Sequence, residues 1–139
     1  MTLRSLHVLA AAAASLAGTA ATAACPAQLP GGGGVRLEST RYELVYRAKP
    51  ERIPLNEHFS VELAVCAKAG APQPESVRVD AQMPEHKHGM NYKSSISAGA
   101  NGYYRADGLM FHMPGKWQLM FDVRGAGRTD RMVSGVSVE

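Results

Sequence analysis

Apolar and polar residues alternate with a period of two along most of the chain beyond residue 35. Phe59, Val61, Leu63 and Val65 share one side of a stretch whose other side carries Ser60 and Glu62, the pattern of a strand with one buried face. Val77, Val79, Ala81 and Met83 repeat it against Arg78 and Asp80, and Trp117, Leu119, Phe121 and Val123 alternate strictly. Weaker stretches run from Val35 to Tyr46, from Asn91 to Ser97 (polar enough for a sheet edge), from Gly102 to Phe111 and from Arg131 to Val138. Between them lie Pro50 and Pro54, Pro72 and Pro74, Pro114-Gly115 and Gly125-Ala126-Gly127, all turn chemistry. No apolar period of 3.6 residues survives past the first residues. The pattern predicts an all-β protein, a single immunoglobulin-like β-sandwich of about seven strands.

The start of the chain reads differently. Arg4 is followed by an Ala-rich apolar run from Leu6 to Ala21, and Ala21-Thr22-Ala23 supplies small residues for a signal peptidase. Residues 1–23 are therefore read as a secretory signal peptide. The run is too weakly apolar for a membrane-spanning helix, which wants roughly 20 strongly apolar residues. Residues 24–34, with four consecutive glycines, are read as a flexible linker, and residues 35–139 as the domain. A cleaved leader places the mature protein in the periplasm or outside the cell, with no transmembrane segment of its own.

Composition narrows the rest. The 139 residues carry 15 basic and 12 acidic side chains, a net charge of +3, and the two signs are interspersed. A nucleic-acid surface needs a concentrated basic face, so nucleic acid is excluded as a partner. Cys25 and Cys66 are the two cysteines. In an oxidising compartment they are expected to form a disulfide, closing a loop of about 40 residues and contributing roughly 4 kcal/mol in the chain-entropy picture. Free thiols and a lipid anchor at Cys25 are lower-ranked alternatives. A lipidation site wants Leu where this chain has Thr22.

One segment carries candidate chemistry: Met83-Pro84-Glu85-His86-Lys87-His88-Gly89-Met90. In extended chain His86, His88 and Met90 project to one side, neighbours being about 6.6 Å apart. Two imidazoles at that spacing can lean onto one ion with bonds of about 2.0 Å. Met90 needs the chain to fold back, and Gly89 is the residue expected to allow it. Met110-Phe111-His112-Met113-Pro114-Gly115 repeats the chemistry, and in a sandwich the loops at one end gather, so His112 or Met113 is expected to complete the set. Neutral nitrogen and soft thioether donors select copper, Cu(I) above all. They leave the charge of Zn²⁺ uncompensated, and calcium or magnesium would want oxygen ligands.

The ordinary alternatives are a hydrogen-bonded surface role for His58 and His112, and core packing for Met83, Met132 and Trp117. No Ser or Cys is spaced with a base and an orienting acid, and the glycine run precedes no helix, so an enzyme is not expected.

The stretches MPEHKHGMNY and GYYRADGLMFHMPGKWQLMFDV resemble the YtkA-like domain family, which overlaps with FixH-like proteins. The family pattern M-P-x-H-x-H-G-M falls on Met83, Pro84, His86, His88, Gly89 and Met90. Its F-x-M-P-G-x-W hairpin falls on Phe111, Met113, Pro114, Gly115 and Trp117. The resemblance implies an exported bacterial β-sandwich found near copper handling or cytochrome oxidase assembly. FixH proteins are anchored by a membrane helix, whereas a cleavable leader here fits a soluble periplasmic role.

The expectation is a periplasmic copper carrier or buffer, with metal ligands drawn from His86, His88, Met90, His112 and Met113. The alternative is a non-metal assembly module of the cell envelope that presents the same loop to a periplasmic or membrane protein partner.

Overall fold

The computed structural model describes residues 27–139. The leader read into residues 1–23 and Cys25, one half of the expected disulfide, lie outside the described residues.

Nine strands are present among the described residues: β1 (Val35–Glu38), β2 (Tyr42–Lys49), β3 (His58–Ala67), β4 (Ser76–Met83), β5 (His88–Gly89), β6 (Ser95–Ala98), β7 (Tyr103–Met110), β8 (Gly115–Gly125) and β9 (Arg128–Val138). They form a five-stranded sheet in the order β1-β2-β3-β7-β6 and a four-stranded sheet in the order β5-β4-β8-β9. Every ladder is antiparallel. Among the described residues no helix is long and apolar enough to cross a membrane.

The alternating residues behave as their pattern predicts. Tyr42, Leu44, Phe59, Val61, Leu63 and Val65 from one sheet meet Val77, Val79, Ala81, Met83, Trp117, Leu119, Phe121 and Val123 from the other in one core. This is the all-β sandwich expected. The strand count is nine rather than seven for two reasons. The expected Val35–Tyr46 strand is broken by a turn at residues 39–41, and His88–Gly89 adds a short strand beside β4.

The break at residues 39–41 contains neither Gly nor Pro. Ser39 Oγ accepts from the Arg41 and Tyr42 amides at 3.3 and 3.1 Å, and a tertiary contact reinforces the turn. Arg41 donates from Nε to Asp130 Oδ1 at 2.8 Å, from Nη1 to the Gly125 carbonyl at 2.8 Å and from Nη2 to the Arg128 carbonyl at 3.0 Å. Ser39 Oγ donates to the other Asp130 oxygen at 2.8 Å. The cluster ties the β1–β2 turn to the β8–β9 turn, closing one pole of the sandwich.

Hydrogen bonding from the Arg41 side chain, with further bonds from Ser39 and the Arg41 backbone, holds the Asp130 carboxyl below the usual range. A carboxyl lowered in the folded state stabilises the fold fully above its unfolded pKa, and that contribution is lost as pH falls through the folded value. Stability is therefore expected to hold down to about pH 4 and to decline below it, the decline being shallower in Asp130→Asn. Unfolding midpoints measured from pH 6 to pH 2 test this, and identical acid limbs in the two proteins would remove Asp130 from the account.

The stretch expected to be a flexible linker is packed from Ala27 onward. Ala27 and Leu29 are buried against Val45 and Ala64 on the outer face of the five-stranded sheet, with Cys66 and Tyr103 alongside. Arg47 donates to the Pro30 and Gly32 carbonyls at 2.9 and 3.1 Å. The glycines turn the chain rather than loosen it: residues 31–34 all have positive φ, and a side chain at Gly34 would strike the Tyr46 carbonyl.

Candidate functional site

The pole opposite Arg41 gathers the ends of β2, β4 and β7 and the starts of β3 and β8. All four described histidines, His58, His86, His88 and His112, stand there. After β4, Pro84–His86 form a single 3₁₀ turn, and Lys87 then adopts the left-handed conformation with φ 55°. The reversal expected at Gly89 is thus made at Lys87, and Gly89 lies in β5.

The turn returns the chain alongside β4, with His88 opposite Met83 and Gly89 opposite Gln82. Met90 N–H then donates to the Ala81 carbonyl at 3.3 Å. Directly paired residues share a face. Met83 is 1% exposed and faces the core, so His88 also faces inward, at the rim of the sandwich. Met90 packs against the same core, and Gly89 faces outward. His86 sits before the reversal and is exposed. The expected single row of His86, His88 and Met90 is therefore replaced by an inward pair, His88 and Met90, with His86 beside it on the turn.

The second segment comes to the same place. Phe111 is fully buried and stacks on Trp117 with ring centres 4.5 Å apart and planes 15° from parallel. Trp117 Nε1 donates to the Met113 carbonyl at 2.9 Å, pinning the turn between β7 and β8. Gly115 keeps that turn clear of Met83, whose terminal methyl a Cβ would meet at 3.0 Å.

His112 is thereby held edge-on to Trp117, at 5.5 Å between ring centres, and His88 approaches the same indole at 5.7 Å. The His88 and His112 rings are 5.1 Å apart, and His86 and His88 are 5.9 Å apart. The three imidazoles form a row centred on His88, with Trp117 against two of them. Met90 and Met113 are partly buried and packed on the core.

His112 Nδ1 is buried and has no hydrogen-bond partner among the described residues, whereas His88 Nδ1 lies 3.1 Å from the Gly89 carbonyl. Among the described residues no group of three or more His, Cys, Asp or Glu side chains stands close enough to hold a metal ion. The donors that come together are His88 and His112, with His86 beside His88. Beside them an open cleft of about 340 Å³ is lined by Pro84, Glu85, Lys116, Trp117, Gln118 and residues 135–137. It shares Trp117 with the histidines but is lined by none of them.

The role of Trp117 as the wall between the two histidine segments was not legible in the sequence, where its place in the strict alternation marked it as core. Both descriptions hold, since its buried face stacks on Phe111 while its edge meets the imidazoles.

A model of the YtkA-like family matches residues 36–122, which include both histidine segments. No curated protein matches. Among solved structures, a DUF4426 family protein from Pseudomonas aeruginosa is similar, with a TM-score of 0.51 and 7% identity, over 75% of this chain and 96% of that one. At that identity the likeness concerns the fold alone.

Proposed function

The chain belongs to the YtkA-like family, and from that footing we propose that its histidine pole binds copper, as a carrier or buffer outside the cytoplasm rather than as an enzyme. The observation that carries this reading is the approach of His88 and His112 from two separate segments to 5.1 Å between ring centres. Two imidazoles sharing one ion at about 2.0 Å per bond stand roughly 5–6 Å apart by their centres. His86 at 5.9 Å from His88 falls in the same range. The unpartnered Nδ1 of His112 supports the reading too, because a buried nitrogen without a partner loses its hydration for nothing unless something binds it.

Met90 and Met113, packed on the same core, would add soft sulfur, and neutral donors of this kind suit Cu(I). Bringing the set into one coordination sphere requires side-chain rotation, which partly exposed imidazoles at the rim of the sandwich permit at low cost. The bridge between Cys25 and Cys66 belongs to the same proposal, since it would tether the start of the exported chain to β3. A mass unchanged by reduction would remove it.

Trp117 is the sole tryptophan and touches both histidines, so its emission reports on the site. Titration with Cu(I) against a competing chelator is expected to quench Trp117 in step with the first equivalent, and Zn²⁺ is expected to compete poorly. Emission unmoved by Cu(I), or a preference for Zn²⁺, would overturn the proposal.

A further inference from the structure

His58 and Met110 belong neither to the core nor to the row of three histidines. The register of β3 and β7 pairs Phe59 with Leu109 and His58 with Met110. Phe59 and Leu109 are buried and face inward, so alternation turns His58 and Met110 outward, side by side across the strands. Directly paired residues hold their Cβ atoms about 4.5–5.5 Å apart, a separation from which an imidazole nitrogen and a thioether sulfur can converge on one ion.

A third side chain closes over them. The Tyr92 ring lies edge-on to His58 with centres 5.1 Å apart and planes at 80°. Tyr92 just precedes β6, whose first residue Ser95 pairs with Asp107, so it comes to His58 from the far side of β7. Met110 therefore lies between the strand that carries His58 and the segment that carries Tyr92. The His58 ring is exposed and bonds to no other described residue.

We propose that His58 and Met110 form a second soft-cation site, taking Cu(I) between nitrogen and sulfur on the outer face of the five-stranded sheet, roofed by Tyr92. Both donors are neutral, as Cu(I) favours, and a two-ligand arrangement at the surface suits an ion that must be taken up and given away. The site rests on the reading of this pole as a place for soft metal, but uses none of the residues of the Trp117 site. The two sites then stand at one end of the sandwich, one open on a sheet face and one set against the indole.

The test uses the chain with ¹³C-labelled methionine methyl groups, titrated with Ag(I) as a redox-silent stand-in for Cu(I). The Met110 methyl resonance is expected to shift with an equivalent distinct from the one that changes Trp117 emission. His58→Ala should weaken that equivalent at least about tenfold while leaving the Trp117 response intact, and Met110→Leu should lower the total Ag(I) stoichiometry, read by chelator competition, by the same one equivalent. His88→Ala combined with His112→Ala should do the reverse. A Met110 resonance unmoved through two equivalents, or one whose shift disappears in the His88/His112 variant, would overturn the second site. A Met110 shift without any Trp117 response would sustain it and sink the first.

Discussion

Replacing His88 and His112 together by alanine is expected to weaken Cu(I) binding by about a hundredfold or more, while changing the unfolding free energy by less than about 1 kcal/mol. The first half follows from their position. These are the two imidazoles that face each other across the rim, and they come from segments that meet only in the folded chain. Removing outer-shell partners of metal ligands already costs about 10–100-fold, and removing the ligands themselves costs more.

The second half follows from burial. His88 is half-buried, and the His112 ring holds an unpartnered nitrogen. Deleting an unsatisfied polar atom gives back part of what the lost packing takes away. Affinity is read by chelator competition and stability by urea unfolding of the same samples. Unchanged affinity in a folded double variant would end the copper reading. A large loss of stability would instead mean that the histidines serve as packing. Single replacements should each exceed half the total effect, because once one imidazole is lost the other no longer shares the ion, and ligands acting on one ion are not additive.

Trp117→Ala is expected to lower the unfolding free energy by about 3–5 kcal/mol, the range for deleting a large buried aromatic side chain. The indole is 1% exposed, stacks on Phe111 and donates to the Met113 carbonyl. Its loss opens a cavity and strands a carbonyl at the turn between β7 and β8. Trp117→Phe restores most of the packing but not the donor, so it should recover stability more fully than it recovers metal affinity. Because the variants lack the fluorophore, unfolding is followed by far-ultraviolet circular dichroism. A loss below about 1 kcal/mol for the alanine variant would show that the two histidine segments are held in place by something other than this residue.

The sandwich was legible in the sequence wherever one face of a strand is buried and the other is not. β4 and β8 are largely of that kind, and a one-residue error in their reading would have turned Val79 or Leu119 into solvent; β3 keeps the same alternation although Ala27 and Leu29 cover part of its outer face. Legibility failed where local turn chemistry is slight and a distant contact reinforces it. The local signal at the break is only Ser39, whose Oγ accepts from the Arg41 and Tyr42 amides, and the contact that reinforces it is with Asp130, some 90 residues along the chain. Lys87 failed in a related way. A non-glycine residue in the left-handed region is uncommon, and with Gly89 two positions away the glycine drew the expectation.

The candidate site was readable as a set of residue types but not as a place. That His112 reaches His88 depends on the pairing of β4 with β8, on Phe111 stacking under Trp117 and on the reversal at Lys87. His58 and Met110 were harder still. Their only sequence signals are a histidine at the start of the clearest strand and a methionine two residues before His112, and it takes the β3–β7 register to set them side by side.

The burial of Leu29 against Val45 and Ala64 changes where the independently folding unit begins. An expression boundary drawn at Val35, where the first strand starts, would strip that cover and bare an apolar strip on a sheet face, inviting self-association between copies. Shortened versions of this protein should start before Cys25, so that the partner proposed for Cys66 is kept together with Ala27 and Leu29, and fusion partners are better joined beyond Glu139, whose side chain is already in solvent.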